Sequence, residues 1–289
     1  MRLQLIRSWS ARRRRLLFVV AASVFVVAAI LAFPAVADDL DAHWPALIAV
    51  LVVGSVATQL LAAVEFSIAA TATPDAAAPT FGRALRVTIA GSMANLLPVP
   101  GSLAVRTGAL ATSGARLGSA VRASAALGFV WVGTALAVAG LLAAASGRAV
   151  AGALVGTAGL VITVASAAVL VRPLARARRR AVSMSAVGIE GAMFLLGSTR
   201  LFLVFGALGF SMSFPDGAAL AVSNVLATAT GIFPGGLGLR EVLAAGIGEL
   251  VGVTAAVALV GTAVDTVGRL GTLAFMSIGL ALVPPPTDQ

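Results

Sequence analysis

Pro234-Gly235-Gly236-Leu237-Gly238-Leu239-Arg240 interrupts one long apolar stretch, and Pro100-Gly101-Ser102-Leu103-Ala104-Val105-Arg106 interrupts another. Four of the seven aligned positions are identical and the other three are similar. The offset, 234 − 100 = 134 residues, is close to half of the 289-residue chain. A Pro-Gly pair alone is a common break in an apolar helix. Two that sit inside apolar sequence and both end in Arg point to an internal repeat. The halves run roughly 38–145 and 172–283.

Outward from the breaks the sequence is mostly apolar. Broken segments at Val87–Gly114 and Ala218–Val251 alternate with unbroken runs. The unbroken runs are about Leu16–Ala37 and Pro45–Ala72, two runs ending near Ala145 and Val171, then about Met184–Phe210 and Val253–Val283. Each approaches the ~20 apolar residues that a bilayer-crossing helix needs. The expected fold is an all-α polytopic membrane protein, with about six full spans and two broken re-entrant hairpins. No polar stretch is long enough for a second, soluble domain, so residues 1–289 form one integral membrane domain. The basic start and Ala35-Val36-Ala37 also fit a signal peptide. The apolar run is longer than such peptides use, so it is expected to stay as a span.

Composition agrees. Sixty per cent of residues are hydrophobic, 11% are charged and the mean hydropathy is +1.05. All 20 basic residues are Arg, with no Lys, Cys or Tyr and a single His, His43. A phosphate-loop lysine, thiol chemistry and histidine metal sites are thereby excluded. The nucleophile-elbow pattern Gly-x-Ser-x-Gly does not occur. No enzymatic activity, cofactor or metal is expected. The Ala- and Arg-rich usage points to a GC-rich bacterial genome and a cytoplasmic membrane. The net charge of +9 lies in clusters between apolar runs, which fits membrane topology and not nucleic-acid binding.

Those clusters, at 2–15, 83–86, 116–122 and 172–180, hold 15 of the 20 Arg residues. Placing all of them in the cytoplasm requires each broken segment to enter and leave by one face. Both termini are then cytoplasmic, and Asp38, Asp39, Asp41 and Asp216 lie outside. Three spans separate the hairpins, so the halves have opposite orientation, an inverted-topology repeat. Backbone freed at Pro98, Pro100, Gly101, Pro234, Gly235 and Gly236 must be buried in protein or line a wet cavity.

Nine charged residues fall inside the apolar segments: Arg106, Arg200, Arg240, Arg269, Glu65, Glu190, Glu241, Glu249 and Asp265. An Arg at the bilayer centre costs from about 3 to over 10 kcal/mol, which implies a polar interior. Arg106 and Arg240 each follow their break by six residues, which aims both at a shared anion site. Arg240 is expected to dominate, with Glu241 orienting it or holding it when the site is empty. Asp265 and Arg269 stand at i, i+4, either as a structural pair that satisfies itself or as part of the functional site. Glu65 and Glu190 are read as proton-coupling carboxylates or as partners of Arg200, and Asp265 as a further coupling candidate. Glu249 lies near a segment end and reads as interfacial. Trp9 and Trp44 flank spans as interface anchors.

Pro234 through Glu241 resembles the signature of the flippase-like integral membrane family, which includes the membrane region of lysylphosphatidylglycerol synthase. That family shows Pro-Gly-Gly-x-Gly-x-x-Glu, then a glycine-marked turn resembling Gly252-Val253, then a span with an Arg resembling Arg269. Asn95-Leu96-Leu97-Pro98 through Arg106 resembles its other motif, Asn-x-x-Pro with a downstream Arg. The family's Gly-Glu between that Pro and Arg is Ser102-Leu103 here. The resemblance implies translocation of an anionic or prenyl-linked lipid; with the intramembrane charges it gives Asn95, Arg106, Arg200, Arg240, Glu241 and Arg269 as the expected substrate-binding set. Nothing resembles the synthase domain, so aminoacyl transfer is not expected. The alternative is an accessory subunit that binds lipid for an envelope biosynthesis enzyme without moving it.

Overall fold

The computed structural model describes residues 23, 25–27, 29–96, 101–230 and 234–282, and all regular structure among them is helical. The nine principal helices are α1 (Trp44–Thr71), α2 (Phe81–Ala94), α3 (Gly101–Thr112), α4 (Leu117–Ala145), α5 (Ala149–Val171), α6 (Arg176–Ala207), α7 (Phe214–Thr230), α8 (Leu239–Val251) and α9 (Ala255–Leu282). Among the described residues α1, α4, α5, α6 and α9 are long and apolar enough to cross a membrane. The chain is therefore a multi-pass membrane protein. The sixth expected span, 16–37, is described only in part, and Pro98 and Pro100 lie outside the described residues.

The other four helices are too short to cross. At ~1.5 Å per residue, helices of 12 to 17 residues reach ~18–26 Å, less than the ~30 Å hydrocarbon core. They pack in two hairpins, α2 on α3 and α7 on α8. Local chemistry sets their ends. Thr80 Oγ1 accepts the Arg83 N–H at 3.3 Å and starts α2. Gly252, with φ of 85°, closes α8 in the left-handed conformation. Arg83 and Arg86 lie inside α2, and Arg176 to Arg180 form the first turns of α6, where the sequence reading had flanking clusters. Arg is a good helix former, so these clusters extend their helices beyond the apolar run. Arg179 also caps the preceding turn, donating from Nε to the Leu174 carbonyl at 2.9 Å.

Packing relates the two halves pairwise. Helix α1 packs on α2, and α6 on α7; α3 packs on α4, and α8 on α9. Across the halves α4 packs on α6 and α7, while α9 packs on α1 and α2, and α1 packs on α6. Helix α5 stands outside this scheme, against α4 and α6. Its contact with α4 is close enough that a Cβ at Gly140 would lie 2.3 Å from the Gly156 nitrogen, so glycine is required there.

The hairpins open at opposite ends of α4. Residues 113–116 join α3 to the start of α4, and the Ala77 N–H donates to the Ser113 carbonyl at 2.9 Å beside that join. At the far end of α4, Arg148 bonds Asp216 at 2.9 Å and the Val251 carbonyl at 3.0 Å. Those are the first turn of α7 and the last residue of α8, so one side chain holds both outer ends of the second hairpin.

Candidate functional site

The second break is built from glycines that a side chain would strain. Gly235, Gly236 and Gly238 have φ of 60°, 74° and 78°, the left-handed region that favours glycine. This is the physical reason for Gly-Gly-x-Gly. Gly101 serves the first break by size: a Cβ there would lie 2.0 Å from the Ala94 carbonyl oxygen.

The second break touches the end of α2, just before the first. The Gly235 N–H donates to the Asn95 carbonyl at 2.5 Å. Asn95 ends α2, and its Oδ1 accepts the Ser102 N–H at 2.7 Å in the first turn of α3. One Asn thus closes the first hairpin with its side chain and joins the second with its backbone. The sequence reading placed Asn95 among substrate ligands; its two oxygens are engaged in structure, although it also lines the cavity.

That cavity has a volume of about 460 Å³ and is walled by both halves, from α1, α2, α3, α4, α6, α7, α9 and the second break. Glu65, Arg106, Glu190, Arg200 and Arg269 all line it. Arg106 and Glu65 form a forked ion pair, with Nη1 to Oε1 at 2.6 Å and Nη2 bonded to Oε2. Arg200 forks onto Asp265, with Nε to Oδ1 at 2.7 Å and Nη2 to Oδ2 at 3.2 Å. Its path to the cavity crosses Gly54, where a Cβ would lie 2.6 Å from the Arg200 Cδ.

Three expectations are corrected by this geometry. Asp265 does not pair with Arg269 one turn away; it bridges Arg200 and Arg240, because both guanidinium groups converge on it from neighbouring helices. Arg240 does not lead into the large cavity. It is 3% exposed, bonds Asp265 through Nη2, and lines only an adjoining pocket of about 50 Å³. Glu241 does not orient Arg240. Its Oε2 accepts the Gly238 N–H at 2.9 Å and its Oε1 the Thr266 hydroxyl at 2.8 Å, so it locks the glycine break onto α9. Glu249, read as interfacial, accepts the Ala255 N–H at 2.6 Å and starts α9.

Two charged groups of the cavity lining have no ion pair among the described residues. Both Glu190 carboxylate oxygens are buried and unbonded, and so is the Arg269 Nε. Among the described residues Arg269 makes no ion pair. The formal charge of the cavity lining is three Arg less two Glu, or +1, and adding Arg240 and Asp265 leaves it unchanged.

Sequence reasoning missed a polar stripe. Ser55, Thr58, Gln59 and Glu65 all line the cavity from α1, and Ser92 bonds Gln59 at 3.2 Å. Their spacing, i, i+3, i+4 and i+10, falls on one helical face, and that signal was present in the sequence. Asn224, whose Oδ1 is buried without a partner, adds to it from α7.

These features define a multi-pass helical membrane protein with a charged cavity beside the Asn95–Gly235 contact. No protein-family model, characterised protein or solved structure matches the chain.

Proposed function

We propose that the protein moves an anionic or prenyl-linked lipid between the leaflets of a bacterial cytoplasmic membrane, as a flippase or scramblase does. The headgroup crosses through the cavity between the two breaks while the tails remain in lipid. The observation that carries this reading is the cavity: it has an excess of Arg over acids and holds one guanidinium, Arg269, that makes no ion pair among the described residues. Burying such a cation without a counterion is costly, and an anionic headgroup would offset that cost. Arg is suited to the task, since its forked donors match a phosphate.

In this reading each short hairpin is re-entrant, and the two halves are an inverted repeat. The pairwise packing relations support it, as do the opposite ends of α4 at which the hairpins open and the three helices α4, α5 and α6 between them. Arg83, Arg86, Arg116 and Arg122 at the first hairpin's open end are the cytoplasmic charges, so the Arg148–Asp216 pair faces outside. The resemblance of Pro234–Glu241 to the flippase-like family points to the same activity.

The test is leaflet exchange in reconstituted vesicles, using fluorescent phosphatidylglycerol and a fluorescent prenyl phosphate. Protein-dependent exchange of either is expected, with a large loss in Arg269→Gln at unchanged melting temperature. Exchange no faster than in protein-free vesicles for both probes contradicts the proposal. Saturable binding without exchange favours the accessory role.

A further inference from the structure

We propose that Glu190 is a proton-binding site linked to the anion site, so that the cavity takes up an anionic headgroup together with one proton. The inference rests on the anionic-headgroup reading and adds its energy coupling.

Glu190 is 0% exposed, lies on the cavity wall, and bonds nothing through either oxygen. An ionised carboxylate so placed has neither a hydrogen bond nor an ion pair of its own, and the neutral acid costs far less to bury. The charges acting on it are Glu65 from α1 and Arg106 from α3. Arg106 is already forked onto Glu65, so it does not serve as a dedicated counterion for Glu190. Arg269 on α9 lines the same cavity. The other helices packed on α6 bring no charge to the cavity: α5 has none, Arg122 of α4 is not in the lining, and Asp216 of α7 is bonded to Arg148 at the far end.

Two states follow. With a proton on Glu190, the guanidinium groups of Arg106 and Arg269 face one carboxylate, Glu65, and a monoanion can enter. Without it, two adjacent carboxylates compete with the anion for the same cations and expel it. The balance is Glu190 carboxylate + H⁺ + anion giving neutral Glu190 with bound anion. The proton binds the Glu190 oxygen and no covalent bond of the lipid changes. An inward proton gradient would then draw the headgroup inward, and exchange at equal pH would be passive.

The composition makes the test clean. The chain contains no Lys, Cys or Tyr, so between about pH 6 and 10 the ordinary titrating groups are only His43 and the terminal amine. His43 accepts the Ala46 N–H at the start of α1, away from the cavity.

The experiment measures binding of dioctanoyl phosphatidylglycerol, whose single charge is constant across this range, to the purified protein in uncharged detergent from pH 6 to 10. Affinity is expected to be flat at the acid end, then to weaken by up to tenfold per pH unit. Glu190→Gln should bind at all pH values with no slope, and His43→Gln should behave as wild type. Calorimetry of the wild type in buffers of different ionisation enthalpy gives an independent readout, expected to approach one proton taken up per lipid in the sloping range. A flat wild-type profile, uptake near zero throughout, or a slope that persists in Glu190→Gln overturns the coupling and leaves the anion site standing. No binding at any pH overturns the anion site, and the coupling with it.

Discussion

Asp265→Asn removes the one carboxylate shared by Arg200 and Arg240 while preserving its shape. Asp265 is 0% exposed, and both Arg partners are nearly as buried. The substitution leaves two guanidinium groups in the wall without a counterion and a third, Arg269, nearby. Breaking a buried pair by removing one partner costs about 3–5 kcal/mol. At ~2–4 °C per kcal/mol for a large domain, that corresponds to a fall in melting temperature of roughly 6–20 °C. Arg240→Gln alone should cost less, because Arg200 keeps its forked contact with Asp265. The double variant Asp265→Asn, Arg240→Gln should then be more stable than the sum of the single costs by at least ~1 kcal/mol. Scanning fluorimetry on the four proteins in one detergent measures the cycle. A melting temperature for Asp265→Asn within a degree of wild type, or strict additivity, would show that the shared carboxylate does not hold this wall together.

Other substitutions probe the breaks, the cavity and the topology. Gly101→Ala places a Cβ 2.0 Å from the Ala94 oxygen, so the first hairpin should fail to close and folded yield should collapse, whereas Gly82→Ala, which meets nothing within 4 Å, should leave yield unchanged. Gly197 lines the cavity and a Cβ there also meets nothing within 4 Å, so Gly197→Phe should preserve the melting temperature while abolishing lipid exchange. Since the chain has no Cys, Ala177→Cys gives a single label site, expected to react with an impermeant maleimide only from the cytoplasmic side. Arg148→Ala should loosen the outer ends of α7 and α8, seen as faster amide exchange at Asp216 to Ala218 and Leu250 to Gly252, with the hairpin tip at Gly235 unaffected.

Much of the helix layout was legible because it depends on apolar length and on backbone chemistry. The runs around 45–72 and 253–283 coincide closely with α1 and α9, and Pro-Gly-Gly-x-Gly marks a break that demands positive φ. Asn95 and Gly235, each beside one of the two breaks, are in contact. The charge pairing was not legible. Asp265 and Arg269 share a helix face, but Arg200 and Arg240 reach Asp265 from other helices, and sequence spacing says nothing about a partner 65 or 25 residues away. Glu241 was misread for a related reason: adjacency to Arg240 in the chain suggested a pair, while its position at the third residue of α8 makes it a cap for the break. The α1 stripe from Ser55 to Glu65 carries a single full charge, although its spacing alone marks a wet helix face.

The most direct measurement is lipid density in a structure of the protein extracted with its native membrane. The expected result is an anionic headgroup inside the cavity, within hydrogen-bond distance of Arg269 and beside the Asn95–Gly235 contact, with its tails leading out to lipid. A cavity filled only with water while lipid density lies on the outer surface, or breaks that sit apart on one face, would contradict a headgroup path between the two hairpins.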